Sequence, residues 1–507
     1  MLKRVFSLIL AFVISLLCLF TVGCKDESEQ SQHASETVSE DKSFYGLDLP
    51  DDLDYGGRAV NVLTTATAQS PTSFHIQPND NDMYTAETAS SVISTAAECT
   101  RLVEQRLGVE IHEEVVYTWS RYGGDMYKKI RSDAMSYTAD YIFTMPCSIE
   151  AGMLSIDGLL YDLNEVPHID LNREWWCKQF NDGVTVGGKT YFAIGDIGTV
   201  SKEATFFVAF NKKMAESNAL AQRYGYSSLY EMVDEKAWTQ DVMYEMAKSV
   251  YQDTNENNKC DIGDVNGIAG QDGAIYNMLT SAGAKIISVD SSGYPKLSVY
   301  KERTLNIIGD AQDYFQDPKS GFISANDYFN LSQVPVAEVI VPEFKADRLL
   351  FFMDAIMNLN LIRDMESDFG VLPAPLYDKS QESYSSQIGC WSTNCIAIPT
   401  FVSGEDLELA GYIIEALSAV SNKKLNPVYY EQTLQYQISR DDESMRMLDI
   451  IFAGRTCELA EIYNLDIFNT VCGMLKAKPD TFASAYEAVK DKTQARLDEI
   501  VDAYKGS

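Results

Sequence analysis

Six residues in one short segment offer oxygen atoms that could hold a metal ion. From Asp253 to Asp264 the chain reads DTNENNKCDIGD, with oxygen donors at the loop positions that a calcium-binding EF-hand uses. These donors are the side chains of Asp253, Asn255 and Asn257, the backbone carbonyl of Lys259, and the side chains of Asp261 and Asp264. Because Ca²⁺ is a hard cation that prefers oxygen ligands, the segment predicts a structural Ca²⁺ site.

The segment departs from the EF-hand pattern at two positions. Asn258 stands where an EF-hand has Gly, and Asp264 is shorter than the Glu that usually closes the loop. Asn tolerates the left-handed backbone that the Gly provides, so the first departure is mild. The alternative is an Asx-rich surface turn without metal. Either way the role is structural, and we expect no cofactor for function.

Other reactive residues give little support to a catalytic centre. The four His residues lie far apart in the chain, and neither a Cys-x-x-Cys pair nor a Gly-x-Ser-x-Gly nucleophile motif is present. Cys390 and Cys395 bracket a short loop, and Cys457 and Cys472 are also close in sequence. Either pair could oxidise outside a cell, or all four could be buried thiols.

The N-terminal sequence has the organisation of an export signal. Lys3 and Arg4 precede an apolar run at 5–19, and Gly23 stands directly before Cys24. A small residue before a Cys resembles the bacterial lipoprotein box, which implies a signal peptide at 1–23 and a lipid on Cys24. The alternatives are an incidental Cys or a transmembrane helix, but the run is shorter than the ~20 residues that a span needs. Residues 24–54 then read as the lipidated Cys and a flexible tether.

Charge and length limit the remaining classes. The 507-residue chain carries 74 acidic and 41 basic residues, a net charge of −33, and no basic block follows the signal. Nucleic-acid binding is therefore not expected, and the lipid is the only membrane attachment that we predict. The part after the tether is long enough for two cores.

Strands and helices alternate along that part. Apolar patterns predict strands at 59–63, from 109, and at 140–143, 206–210, 349–353 and 395–398, with an extended stretch at 369–373. Helical spacing is found at 91–107, 125–136, 239–251, 407–421, 444–452 and 481–504. This alternation predicts an α/β fold with a largely parallel sheet.

A series of short segments carries a family resemblance. In order, the chain contains DYIF, GLLYDLNEV, REWW, GGKTYFAIGD, FFVAFNKKM and KAWTQDVMYEMAKSV, and later FGVLPAPLYDKSQESY. Their order and spacing resemble the bacterial extracellular solute-binding proteins, family 1 type, of carbohydrate ABC transporters. The resemblance begins at about residue 59 and extends to the C-terminus.

This resemblance implies a two-lobed α/β fold, the periplasmic-binding-protein-like fold of type II, with a multi-strand hinge. Lobe 1 would comprise 55–200 plus 355–427, and lobe 2 would comprise 201–354 plus 428–507. We expect the chain to cross between lobes near 198–204, 351–358 and 427–437. A ligand held between two lobes can be closed off from water.

Sugar-binding clefts use aromatic rings and paired hydrogen-bonding groups, which identifies four candidate residues. Trp119 is a candidate because it lies just past a predicted strand, in a turn with Gly123 and Gly124. By their place in the resemblance, Glu150 in the loop after DYIF, Glu203 near the first crossing and Trp391 before the strand at 395–398 would also contact ligand. The alternatives are packing for the two Trp residues and solvated charges for the two Glu residues.

Three further Trp residues read as structural. Trp175 and Trp176 are expected to pack, and Trp238 precedes Thr239, the predicted N-cap of the helix at 239–251.

The sequence thus predicts a monomeric, non-enzymatic lipoprotein on the extracellular face of a bacterial membrane. Its expected partners are a carbohydrate, most simply an oligosaccharide, and the permease subunits of an ABC transporter. The alternatives are a secreted glycoside-active enzyme and a binding protein for a peptide or another metabolite.

Overall fold

A computed structural model of the chain describes residues 43–66, 88–117, 124–136, 140–332, 336–431, 442–479 and 481–506. The predicted signal peptide, Cys24 and Trp119 lie outside the described residues, as does most of the tether.

The described part contains short strands between helices. The strands are β1 Arg58–Ala66, β2 Val109–Tyr117, β3 Tyr141–Met145, β4 Phe206–Asn211, β5 Asn266–Gly270, β6 Ile287–Val289, β7 Pro295–Leu297, β8 Phe322–Ser324, β9 Leu349–Ala355, β10 Phe369–Leu372, β11 Ser386–Gln387 and β12 Arg455–Thr456. The helices of its first half are α1 Thr88–Leu107, α2 Asp125–Ser136, α3 Ser148–Ile156, α4 Lys178–Val184, α5 Val200–Glu203, α6 Lys212–Ser217, α7 Leu229–Asp234 and α8 Gln240–Val250. The later helices are α9 Asp272–Ser281, α10 Glu302–Gln316, α11 Ala325–Ser332, α12 Val336–Lys345, α13 Glu405–Lys423, α14 Leu425–Val428, α15 Asp442–Ala453, α16 Leu459–Ile462, α17 Asp466–Leu475 and α18 Phe482–Gly506.

The first sheet is parallel and has the strand order β2-β1-β3. Buried and exposed residues alternate at the start of β2, whereas every residue of β3 is buried, and the buried side chains of the sheet pack in one core with residues of α1 and α13. The predicted strand at 395–398 is instead an extended segment joined by isolated bridges. Ala397 pairs with Thr144 of β3, and Ile396 pairs with Ala193.

The second sheet has the order β10-β4-β9-β5-β8. Strands β5, β8 and β9 are parallel, whereas β4 runs antiparallel to β9 and to β10. Every residue of β4 and of β9 is buried. Such continuous apolar runs are typical of a sheet that is covered on both faces, and cores lie on both sides of this one.

The C-terminal helices join the two halves of the structure. Gly152 of α3 approaches Ile462 of α16 so closely that an added Cβ would lie 2.7 Å from the Ile462 Cγ2 atom. The Tyr504 hydroxyl donates to Ser155 of α3 at 3.1 Å. The same apolar core includes residues of α9 and α10, so the region after β12 contacts elements of both predicted lobes.

Three Trp residues predicted to be structural are buried. The indole N–H groups of Trp175 and Trp176 donate to the carboxylate of Glu415 at 2.7 and 2.9 Å. Trp238 is fully buried and donates to the carbonyl of Pro373 at 2.9 Å. Thr239 is the N-cap residue of α8, but its hydroxyl bonds Asp241 rather than a backbone N–H.

Two further findings concern the whole described part. Its eight cysteines are free thiols, with Cys390, Cys395 and Cys457 buried and Cys472 partly buried. None of its helices combines the length and the apolar character needed to cross a membrane.

Candidate ligand-binding site

The carboxyl ends of the first sheet's parallel strands meet one loop, residues 388–394, which carries Trp391. The side-chain amide of Asn394 donates to the carbonyl of Thr65 in β1 at 2.7 Å. The backbone N–H of Ser148, directly after β3, donates to the carbonyl of Thr393 at 3.0 Å. In open α/β sheets, ligands bind outside such carboxyl ends. The loop is therefore at the edge where a ligand is expected.

The loop also contacts the first predicted crossing and the second sheet. The N–H of Gly389 donates to the carbonyl of Ala204 at 2.8 Å. A Cβ at Gly389 would lie 3.6 Å from the ring of Phe206, the first residue of β4. Trp391 itself is half-buried and packs at the edge of the apolar core that the C-terminal helices share.

Glu150 does not lie in a loop, so that part of its prediction is wrong. It occupies the first turn of α3, is fully buried, and one carboxylate oxygen lies 3.4 Å from the N–H of Tyr127 in α2. The helix begins at Ser148, three residues after the end of β3, and Cys147 and Ser148 both pair with the 388–394 loop. Glu150 is thus placed two residues beyond a contact with the Trp391 loop, and it faces α2.

Glu203 lies in α5, within the first predicted crossing. It is 2% exposed and accepts a hydrogen bond of 2.7 Å from the hydroxyl of Thr199. Burial, and then the charge of Glu203, raise the pKa of Tyr429 well above its usual value. Tyr429 directly follows α14, where the chain approaches the third predicted crossing.

A buried ionic cluster joins the segment of the first predicted crossing to α13 and α14. The ammonium of Lys202 donates to Asp196 at 2.5 Å and to Asn426 at 3.0 Å. The amide of Asn422 donates to the other oxygen of Asp196 at 2.8 Å. Burial by itself would raise the pKa of Asp196, but Lys202, Asn422 and Arg455 together lower it. The carboxylate is therefore held ionised at the crossing.

A second polar cluster, which the sequence did not reveal, lies at the carboxyl ends of β5 and β9. Gln271 follows β5 and donates to the carboxylate of Asp354 in β9, which Asn358 also contacts. Asp354 is 1% exposed, and burial raises its pKa to about 6. The next residue but one, Ile356, donates its N–H to the carbonyl of Thr205, directly after the first predicted crossing, at 3.0 Å. The sequence feature that could have indicated this cluster is Asp354 itself, a single Asp within an apolar strand.

The structure thus brings three of the four predicted ligand residues into one region. Glu150, Glu203 and Trp391 lie on α3, α5 and the 388–394 loop, and these segments bond one another through Ser148 and Ala204. Of the three, Trp391 is the more exposed, whereas both carboxylates are buried. Trp119 lies outside the described residues.

The predicted calcium loop follows α8 and is held by its own side chains. Asn255 and Asn257 donate their amides to the carboxylate of Asp261 at 3.0 and 2.6 Å. The carboxylate of Asp253 accepts from the N–H groups of Asn257 and Asn258 at 3.1 and 2.7 Å. Asn258 has a φ of 58°, the left-handed backbone that was expected of it. Four of the predicted donors are therefore gathered on one short loop.

The other two predicted donors have protein partners. Asp264 is fully buried and accepts hydrogen bonds from the N–H and hydroxyl of Thr254 at 2.8 and 3.0 Å. The carbonyl of Lys259 accepts from the Tyr251 hydroxyl at 2.9 Å. Within the described residues no three His, Cys, Asp or Glu side chains converge closely enough to hold a metal ion. Asp253, Asn255, Asn257 and Asp261 are the side chains that would have to hold a Ca²⁺ ion, whereas Asp264 bonds Thr254 at the start of the loop.

Sequence comparisons give no relative from which a role could be read. No protein-family model matches the chain, and no curated protein matches it in sequence.

Comparison with solved structures identifies the fold. An ABC substrate-binding protein from Listeria monocytogenes, in complex with cycloalternan, has a TM-score of 0.51 at 10% identity, covering 87% of this chain and 99% of that one. UgpB from Mycobacterium tuberculosis, in complex with glycerophosphocholine, has a TM-score of 0.51 at 14% identity, covering 81% and 96%. The cyclic α-maltosyl-1,6-maltose binding protein from Arthrobacter globiformis has a TM-score of 0.50 at 12% identity, covering 88% and 100%.

These similarities extend over nearly the full length of each solved chain. The chain therefore has the two-lobed α/β fold of periplasmic binding proteins, and the predicted fold class is confirmed.

Proposed function

We propose that this chain is a solute-binding protein that captures an oligosaccharide between its two lobes and delivers it to an ABC permease. The observation that carries the proposal is the 388–394 loop. It presents a half-buried Trp391 where the carboxyl ends of the first sheet, the first crossing and β4 meet. An indole face can stack on a sugar ring, and neighbouring polar groups can bond its hydroxyls.

The neighbours support a carbohydrate but leave a second ligand class to test. Of the proteins with the same fold, one is in complex with cycloalternan, one is a cyclic α-maltosyl-1,6-maltose binding protein, and one is in complex with glycerophosphocholine. The carboxylates Glu150, Glu203 and Asp354 near the loop favour a neutral polyhydroxyl ligand over a phosphodiester, because like charges repel.

Isothermal titration calorimetry with cycloalternan, maltotetraose and glycerophosphocholine tests the proposal. We expect saturable binding of at least one oligosaccharide, no binding of glycerophosphocholine, and unchanged sugar when the mixture is analysed by chromatography. Hydrolysed sugar would favour a glycoside-active enzyme. Tight binding of glycerophosphocholine alone would overturn the carbohydrate assignment.

We further propose that Cys24 carries a lipid that anchors the protein on the outer face of the membrane. The support is the order of charged, apolar and small residues before Cys24. Expression of Cys24→Ser should release the protein from the membrane fraction or leave it unprocessed. Normal cleavage with full membrane retention would contradict the lipid. We expect the released protein to be a monomer in light scattering.

The loop from Asp253 to Asp264 is proposed to bind a structural Ca²⁺. The proposal is supported by four oxygen-bearing side chains that lie together on this loop, those of Asp253, Asn255, Asn257 and Asp261. The ion would neutralise Asp253 and Asp261 and hold the connection between α8 and β5. It would take no part in ligand capture.

A further inference from the structure

A cavity lies between α8 and α10, apart from the region proposed for the sugar. Its volume is about 450 Å³, within the range of small-molecule sites. Residues 377–378 complete its wall.

The cavity is strongly acidic. Asp241 and Glu245 are one turn apart on α8, and Asp310 and Asp313 are one turn apart on α10, so each pair lies on one helix face. Among the lining residues the basic one is Lys248, and its ammonium bonds Asp317 at 2.8 Å. The four carboxylates on the two helices therefore outnumber the positive charges that line the cavity.

A buried hydroxyl lies in the wall of the cavity. Tyr244 is 8% exposed, and its ring stacks on Tyr314 with 4.2 Å between ring centres. Within the described residues its hydroxyl has no hydrogen-bond partner. Burial, followed by the charge of Asp310, raises the pKa of Tyr244, and both side chains line the cavity. A buried hydroxyl without a partner is costly, so a ligand that donates to it would be favoured.

The aromatic rings around the cavity already contact cations of the chain. The Lys248 ammonium lies 5.7 Å from the centre of the Tyr314 ring, and the Arg303 guanidinium lies 5.1 Å from that of Tyr377. Carboxylates and ring faces together attract positive charge. A metal ion fits less well, because no three acidic, His or Cys side chains of the described residues are close enough to ligate one.

We propose that this cavity binds a linear organic polyamine. One protonated amine would donate hydrogen bonds to the carboxylate of Asp310 and to the hydroxyl oxygen of Tyr244. A second ammonium group would face Asp241 and Glu245 across the cavity. Ammonium groups carry donors and no acceptor, which matches a wall of carboxylate and hydroxyl oxygens.

Calorimetric titration of the full mature chain with spermidine, at 0.15 M salt, tests the proposal. We expect saturable binding at one site. Tyr244→Phe keeps the ring and its stacking but removes the hydroxyl, and Asp310→Asn removes the charge. Each variant should weaken binding about tenfold, the usual effect of losing one hydrogen bond to a charged group.

A matched control separates a built site from general attraction to an acidic protein. Glu405 and Glu408 are exposed carboxylates of another acidic surface beside Arg58. The Glu405→Gln/Glu408→Gln variant removes two charges and should bind spermidine as the unaltered protein does. Equal weakening in this control, binding that does not saturate, or unchanged affinity in Tyr244→Phe would each overturn the proposal. Thermal unfolding of each variant confirms that it is folded.

The test is also independent of the proposed sugar site. Trp391→Ala should leave spermidine affinity unchanged, because the two sites share no residue. Loss of spermidine binding in that variant would contradict a separate cavity.

Discussion

The hydroxyl of Ser148 donates a hydrogen bond of 2.8 Å to the carbonyl oxygen of Cys390, 242 positions later in the chain. This bond ties the N-terminus of α3 to the residue that directly precedes Trp391. Both partners are buried, so the bond is shielded from competing water. The backbone next to Trp391 is therefore fixed in place, as a binding residue on a loop requires.

Trp391→Ala should weaken binding of the oligosaccharide identified by calorimetry by roughly a hundredfold, the effect of losing a central aromatic contact. The melting temperature of the ligand-free protein should change little, because the ring is only half-buried. Trp238→Ala is the matched control: Trp238 is fully buried, so its loss should cost about 3–5 kcal/mol of stability. A destabilised Trp391→Ala protein with unchanged affinity would assign Trp391 to packing.

Asp354 should make stability depend on pH. Its pKa is raised from the model-compound value of 3.8 to about 6 in the folded protein, chiefly by burial. Its contribution is therefore complete below about pH 4 and is lost as pH rises through about 6, a loss of about 3 kcal/mol. In Asp354→Asn that loss should be absent.

Urea unfolding of both proteins between pH 4 and 7 measures the difference. The stability of Asp354→Asn relative to the unaltered protein should rise over this interval. Glu461, whose pKa burial raises to about 7, is present in both proteins and cancels in the comparison. A difference that does not vary with pH would show that Asp354 keeps an ordinary pKa.

Much of the framework could be predicted from local patterns. The predicted helix at 407–421 lies within α13, and the strand at 59–63 lies within β1. The spacing of apolar residues indicates which side of a helix or strand faces the core, and this spacing can be read from a short stretch of sequence. The burial of Trp175 and Trp176 was expected as well.

The parts that sequence reasoning missed depend on partners far along the chain. Glu150 was placed in a loop, yet it lies in α3, whose Gly152 packs on Ile462 some 300 positions later. Asp354 is stabilised by Gln271, 83 positions earlier. Such contacts form when distant parts of the chain pack together. A pattern within a short stretch of sequence therefore cannot predict them.

Glu415→Ala should strongly destabilise the first sheet's lobe. The Glu415 carboxylate accepts both indole N–H groups of Trp175 and Trp176 and the N–H of Asp170 at 3.0 Å. Removing it leaves buried donors without an acceptor, at about 1–3 kcal/mol each. Glu415→Gln retains one carbonyl oxygen and should lose less. Denaturant unfolding compares the two, and a loss in Glu415→Gln as large as that in Glu415→Ala would contradict the idea that a retained acceptor oxygen limits the damage.

Gly152→Ala should loosen the contact between α3 and the C-terminal helices. The added methyl would lie 2.7 Å from Ile462 Cγ2 and 2.8 Å from the Ile462 carbonyl oxygen, and the backbone atom cannot move aside. Overpacking of this kind costs about 1–3 kcal/mol. Gly473→Ala is the control, because its Cβ would meet no atom within 4 Å. A melting temperature of Gly152→Ala equal to that of the control would contradict the packing.

Removal of Ca²⁺ should lower the melting temperature. An ion that binds the folded loop stabilises it by mass action, by about 2.7 kcal/mol at a concentration one hundred times its Kd. Chelation followed by Ca²⁺ addition should reverse the shift, and Asp253→Ala should abolish it. Asp290→Ala is the matched control, because Asp290 also accepts backbone N–H groups in an exposed turn, from Ser292 and Tyr294, but stands apart from the loop. If the chelator leaves the melting curve unchanged, the hydrogen bonds among Asp253, Asn257 and Asp261 suffice to hold the loop, and the segment is an Asx turn without metal.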